Sequence, residues 1–410
     1  MKPQDISTVW KTKELSFDAI VEWGLNTIFS LSPNAVQRLH LDGPDGTGSM
    51  YASSHTFFRD HLAPGKPLET ITSDFVGYMM KDIETVKQKL RKAPGGKLRV
   101  DLMHWIRQRV GIPSTNAMVG EGPLRYDPGI LDALAKFDTD MLRLSSGLPK
   151  WINKDAHDNV RRLSDAFAHG LEGEKGIYWV EKRMKMMEDR GISFRDQTTA
   201  TMSIWQALQA NAIPVIFWMV YELLRNPDTL QELMQEARPS LGANGNLVDI
   251  EYLSTKTPKL NAFYWEVLRY ASGNTSVRQV LETVSIGGRT LYKGAMVMLP
   301  SRPHHMNPEI FGDDCDKFVP DRFLRDGKEP GKLNPGIRSV RAFGGGNTLC
   351  PGRHFATNEV FSAVVTIFNT FDISLVDPSQ SVYPQTERST LATFPPNETV
   401  LADIKLKEGR

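Results

Sequence analysis

The sequence predicts a mainly α-helical chain with a small β part toward the C-terminus, an α+β architecture. Three observations carry this. Apolar residues recur at helical spacing through the first two thirds. Two strand-like runs then flank Gly287-Gly288. Finally, a long stretch without period, residues 302–350, is dense in Pro, Gly, Asn and Asp and gives way to another helix.

In chain order, residues 70–90 carry Phe75, Met79, Ile83, Val86 and Leu90 on one helical stripe. Residues 155–171 and 178–189 read as shorter helices. Residues 199–225 form a long one, closed by Asn226-Pro227. Pro227 opens the helix 228–241 in the favoured first-turn position. The helix 259–271 follows, with Gly273 placed to end it. Strands are expected over 277–286 and 291–300, and a helix over 352–370. So long an irregular segment as 302–350 inside a compact chain points to a function.

Composition narrows the possibilities. The chain has 410 residues, 40% apolar and 24% charged, so it can bury a large core. Its net charge of +1 gives no electrostatic reason to expect nucleic acid as a partner. Two cysteines, Cys315 and Cys350, exclude a disulfide scaffold and leave one free to act as ligand or nucleophile. No run reaches the roughly 18 apolar residues that span a bilayer. The most apolar segment, 212–224, is interrupted by Pro214 and Glu222, and the polar first residues lack a signal-peptide core. Read by itself, the chain is expected to be soluble.

The informative segment is Phe343-Gly344-Gly345-Gly346-Asn347-Thr348-Leu349-Cys350-Pro351-Gly352, immediately before a helix. A haem held by a thiolate needs one deprotonated cysteine facing iron in a dry site. Glycines allow close backbone approach and positive φ. Backbone N–H groups and the start of the following helix stabilise negative sulfur, and Phe343 can shield it. Chance places Phe and both glycines at these offsets about once in two thousand chains of this composition, so the loop is a signal. A buried structural cysteine in a glycine-rich loop is the competing reading, and the one taken for Cys315.

Two further motifs precede this loop. Glu266-Val267-Leu268-Arg269 is an E-x-x-R on the helix 259–271, its two charges on one face. Phe318-Val319-Pro320-Asp321-Arg322-Phe323 is of P-x-R-F type. Alone, the first would be an ordinary surface pair. In this order, followed by F-x-x-G-x-x-x-C-x-G, the three resemble the signature of the cytochrome P450 family. The resemblance implies the family's fold, haem b as cofactor, and Cys350 as axial ligand to its iron. It implies that Phe343, Gly346 and Gly352 shape the haem-binding loop, and that Glu266, Arg269 and Arg322 form a supporting triad without touching the reaction.

The same resemblance assigns haem propionates to His55 and Arg59, where His55-Thr56-Phe57-Phe58-Arg59 is similar to W-x-x-x-R with His for Trp, and to Arg278. Solvated surface residues are the alternative for all three. Thr348 stands where Arg or His is usual, so one propionate contact is expected to come from elsewhere. The oxygen-side helix normally carries an acid and then a threonine. Here those positions are Ala210 and Asn211. Asn211 exchanges hydrogen bonds but is no acid; it is the candidate catalytic residue, or else a helix-kink residue beside Pro214. The run Trp205–Trp218 is similar to the branch containing prostacyclin synthase and the sterol 7α- and 12α-hydroxylases, which includes both monooxygenases and an isomerase.

From these likenesses a fungal-type haem-thiolate monooxygenase of secondary metabolism is expected. It would act on a lipophilic small molecule such as a sterol or terpenoid, with electrons from NADPH through NADPH–cytochrome P450 reductase. The alternatives are an isomerase or dehydratase working on a peroxide without reductant, and a non-catalytic remnant. Residues 1–410 are expected to form one domain lacking the family's N-terminal anchor, first helix and first sheet strands. The family's location at the cytoplasmic face of the endoplasmic reticulum is implied, though no anchor is recognisable here.

Overall fold

A computed structural model describes residues 3–44, 46–173, 177–243, 245–247, 249–324, 334–387 and 393–408. The first third holds α1 (Pro3–Lys11), β1 (Leu15–Ser16), α2 (Asp18–Thr27), α3 (Pro33–Arg38), α4 (Met50–Leu62), α5 (Lys66–Lys92), β2 (Lys97–Asp101) and α6 (Leu102–Val119). Next come α7 (Gly122–Tyr126), α8 (Ile130–Ser145), α9 (Lys154–Leu171), α10 (Tyr178–Glu188), α11 (Phe194–Arg225) and α12 (Pro227–Ala237). They are followed by α13 (Ile250–Lys256), α14 (Pro258–Ala271), β3 (Thr275–Val280), β4 (Val284–Ile286), β5 (Arg289–Leu291) and β6 (Met296–Pro300). The chain closes with α15 (Ser301–His305), α16 (Pro308–Phe311), α17 (Arg353–Thr370), β7 (Phe371–Leu375) and β8 (Leu401–Leu406). The helix-rich fold with small sheets is the one the sequence predicts.

The stripe on α5 is buried as its spacing requires: Phe75, Met79, Ile83, Val86 and Leu90 all lie inside. α11 begins five residues before the apolar pattern does. Ser193 caps it, its Oγ accepting the Asp196 N–H at 3.2 Å. The buried Thr198, Thr199 and Thr201 are then satisfied by donating to backbone carbonyls one turn back. By length and composition α11 could cross a membrane, yet 78% of its most apolar window is buried in the fold. It is the core helix, packed on α6, α9 and α17.

The two expected strands resolve into four. β3 pairs antiparallel with β6, Thr275 opposite Pro300, and takes β1 on its other edge. β4 and β5 form a separate hairpin about Gly287-Gly288, both at positive φ as the tight turn demands. β2, β8 and β7 make a second antiparallel sheet whose long-range pairing has no local signature. Gly273 does not end α14 by a left-handed turn. Ser272 closes the helix in an extended conformation. Gly273 is needed because an added Cβ would lie 2.7 Å from the Phe394 ring.

Candidate active site around Cys350

The site rests on a buried ionic framework. Glu266 and Arg269, one turn apart on α14, are both wholly inaccessible. Arg269 Nε and Nη2 each donate to the Glu266 carboxylate at 2.7 Å, a bidentate pair. Glu266 Oε1 also accepts from Arg322 Nε at 3.1 Å and from the Val319 N–H at 2.9 Å. Most remaining donors reach backbone, Arg269 to the carbonyls of His305, Cys315 and Lys317 and Arg322 to those of Phe311, Asp314 and Lys317, while Arg322 Nη1 also pairs with the Asp314 carboxylate at 2.7 Å. Three charged side chains thus supply the hydrogen bonds that the irregular segment after α15 cannot make with itself. Cys315 belongs to this framework, its buried thiol donating to the Met306 carbonyl.

The cysteine loop leaves that framework and turns into α17. The Cys350 N–H donates to the Phe343 carbonyl at 3.0 Å, closing the loop. Gly344 and Gly346 take φ of 71° and 65°, a conformation side chains resist. Gly345 and Gly346 are also clamped from outside by Trp10 of α1: an added Cβ would lie 2.2 Å from its ring at Gly345 and 2.6 Å from its Cβ at Gly346. Trp10 Nε1 in turn donates to Ser276 Oγ on β3 at 3.3 Å. Burial pushes the Cys350 thiol up, while the Gly352 and Arg353 N–H groups and the Arg353 charge draw it down. The start of α17 is therefore built to favour thiolate once a cation faces the sulfur.

Two cavities, of about 380 and 300 Å³, meet at Cys350 and share walls from Phe17, Ala207, Leu208, Thr348 and Gly352. Both are lined by Cys350 and, from α11, by Ala207 and Leu208. Phe343, Asn211 and Arg278 line the smaller cavity, and His55 the larger. The Asn211 amide donates to the Ala207 carbonyl at 3.0 Å, so its Nδ2 is engaged within α11. Arg278 is buried on β3 and donates to Thr348 Oγ1 and, at 2.7 Å, to the Val277 carbonyl. Burial lowers its pKa, and among the described residues it forms no ion pair. His55 is exposed beside Asp18, 3.5 Å away, whose hydrogen bond holds the imidazole pKa above its ordinary value.

Two sequence candidates fall outside the walls. Arg59 lies on the exposed face of α4, one turn after the likewise exposed Thr56, and donates to Asp60 at 3.3 Å. Gly346 backs onto Trp10, whereas its neighbour Gly344 lines the cavity.

Two contributors carried no readable motif. Trp10 acts at long range. Glu359, on the apolar helix after the cysteine, is fully buried in the wall of the smaller cavity, and its Oε1 has no partner. Its only hint in the sequence was a lone acid among apolar neighbours. Burial pushes its carboxyl from the ordinary 4.5 up to about 7. A carboxyl raised in the folded state favours folding fully below its unfolded pKa, and that contribution is lost as pH rises through 7. Glu359→Gln is therefore expected to leave stability unchanged near pH 4 and to raise it by on the order of 2–3 kcal/mol at pH 8. Denaturant unfolding at both pH values checks this; equal shifts at the two would exclude ionisation as the cause.

Fold and cavity fit a haem protein of the thiolate-ligated class. The chain belongs to the cytochrome P450 family, whose family model matches residues 174–402, more than half of its length. It is similar to cholesterol 7-alpha-monooxygenase of Cricetulus griseus, 26% identical over 68% of this chain and 59% of that protein. It is similar to cytochrome P450 monooxygenase nodJ of Hypoxylon pulicicidum, 27% identical over 76% of this chain and 64% of that protein. A third relative, cytochrome P450 7A1 of Rattus norvegicus, is 26% identical over 68% of this chain and 59% of its own length. The chain thus spans about six tenths of these relatives. The family implies haem, and the residues present fit it: a thiol at the cavity wall, glycine at Gly344 in the same wall, and the buried Arg278, which forms no ion pair among the described residues.

Proposed function

We propose that the chain is a haem-thiolate monooxygenase that inserts one oxygen atom of O2 into a lipophilic small molecule. The observation that carries this is that Cys350 and Ala207 and Leu208 of α11 line the same two largely apolar cavities. Cys350 would ligate the iron of haem b, with Arg278, and His55 from α4, toward the propionates. Bound haem would supply oxygen activation, helped by electron donation from the thiolate. The protein's own residues do the rest: the framework of Glu266, Arg269 and Arg322 fixes the loop, and the apolar walls exclude water and hold the substrate. A sterol or terpenoid is the substrate class suggested by the relatives' names and the resemblance above. NADPH, through a separate reductase at the endoplasmic reticulum surface, is the proposed electron source.

α11 carries Ala210 and Asn211 in place of an acid and an alcohol, and of the two Asn211 lines the smaller cavity. Pro214 lacks the N–H that would bond the Ala210 carbonyl, so the hydrogen-bond ladder of α11 is interrupted beside Asn211. In a monooxygenase Asn211 then positions the water that delivers protons. Asn211→Ala is expected to lower product formed per NADPH consumed and to raise hydrogen peroxide release, while Asn211→Thr keeps coupling. The missing acid also favours a second reading, an isomerase that receives an O–O bond ready-made. Supplying reductase and NADPH with lipophilic substrates, and separately hydroperoxides alone, decides between them. Efficient peroxide rearrangement without reductant, and no NADPH-dependent oxygen insertion, would overturn the monooxygenase.

A further inference from the structure

The larger cavity is walled by Val21, Leu25, Leu62, Met118 and Trp179; Asp18 in its lining is paired with His55, whereas Arg183 stands apart from any such partner. Arg183 lies on α10, on the inward stripe with Trp179, Val180 and Met187, and is only 7% exposed. Its Nε has no hydrogen-bond partner, and its Nη1 meets only the Met187 sulfur at 3.8 Å. The guanidinium also lies 5.8 Å from the Phe58 ring. Among the described residues no carboxylate pairs with it.

The other buried arginines among the described residues have hydrogen-bond acceptors: Arg269 has Glu266, Arg190 donates to the carbonyls of Leu41, Met186 and Gly48, and Arg278 donates to the Val277 carbonyl and Thr348 Oγ1. Burial alone draws the Arg183 pKa down, to about 10, which leaves it charged at neutral pH. A buried charge without a partner costs several kcal/mol unless something in the functional state neutralises it. The open side of this guanidinium is the cavity, and a planar fork of donors matches a carboxylate.

We propose that Arg183 anchors a carboxylate entering the apolar cavity beside Cys350, carried by a lipophilic acid substrate or by the porphyrin. The substrate case rests on the function proposed above and narrows its substrate class to amphipathic acids, with the apolar body along the cavity and the acid at α10. Ser203 and Ile204, which share this cavity with Arg183, precede Leu208 by about one helical turn of α11. An acid held there would present its apolar part toward Cys350.

The test compares the haem-loaded wild type with Arg183→Met and Arg183→Lys, using dodecanoate and methyl dodecanoate as probes, by calorimetric titration. Wild type is expected to prefer the acid by at least tenfold. Arg183→Met should erase that preference and Arg183→Lys should keep most of it. Because methionine removes an unpaired buried charge, the ligand-free Met variant should melt no lower than wild type, which separates lost binding from lost folding. If Arg183→Met instead loses haem while folded and shows no change toward dodecanoate, the carboxylate is the porphyrin's. Full haem retention with no acid preference in wild type overturns the proposal. If wild type takes up no haem, the function proposed above fails, while the dodecanoate comparison on the haem-free chain still decides Arg183.

Discussion

Cys350→Ala is expected to abolish the thiolate-type carbon monoxide difference spectrum completely, whereas Cys315→Ala retains it. The two cysteines are chemically alike and structurally opposite. Cys350 opens onto both cavities at the head of α17, with the Gly352 and Arg353 N–H groups directed at its sulfur. Cys315 is buried beneath α14, its thiol donating to the Met306 carbonyl and its own carbonyl accepting from Arg269. Alanine at 350 removes the donor atom without disturbing packing, since the thiol borders empty space. No other cysteine can move into its place, because Cys315 is locked in the framework. Absorbance difference spectra of reduced protein with and without carbon monoxide decide the matter. A normal thiolate spectrum from the Cys350 variant would refute the ligand assignment and the function built on it.

The second large effect concerns the framework. Glu266→Ala is expected to destabilise the chain by about 3–5 kcal/mol, since it leaves the wholly buried Arg269 without a counter-charge, whereas Arg269→Ala and Arg322→Ala each leave Glu266 one arginine and act through the backbone carbonyls they strand, at a smaller cost. A typical domain has only about 5–15 kcal/mol to lose, so haem-free or insoluble protein is the expected product. Glu266 is the most exposed to this logic: one of its oxygens accepts from Arg269, Arg322 and the Val319 N–H together. The contrast is the surface pair of Lys154 and Asp158, equally short at 2.6 Å but solvated. Asp158→Ala should change nothing measurable, because water replaces the lost partner. Haem content per chain and the yield of soluble protein are the readouts. Full loading in all three framework variants would show that the cysteine loop holds itself.

Both effects concern residues readable from the sequence, and the reason is locality. Glu266 and Arg269 stand one turn apart, a spacing that fixes their adjacency before any tertiary structure exists. The glycines around Cys350 are needed by the loop's own backbone, and the stripe on α5 reports its buried face through period alone. Counting back from Asn226-Pro227 along a continuous helix places Asn211, and it does line the smaller cavity. The strands were less legible. Two runs became four strands because a pairing partner, not propensity, decides where a strand stops.

The sequence by itself therefore determined the helical class, the cysteine that faces the cavity, and the charged trio behind it. In each case the informative residues lie close together in the chain or carry an ordered motif. Only the tertiary structure decided that Trp10 clamps Gly345 and Gly346, that Glu359 is a buried acid in the cavity wall, and that Arg59 points outward. Only it showed Arg183 as a buried cation facing the cavity with no described partner. These properties belong to surfaces brought together from distant segments, and burial is what turns an ordinary tryptophan, acid or arginine into a clamp, a raised pKa or a vacant counter-charge.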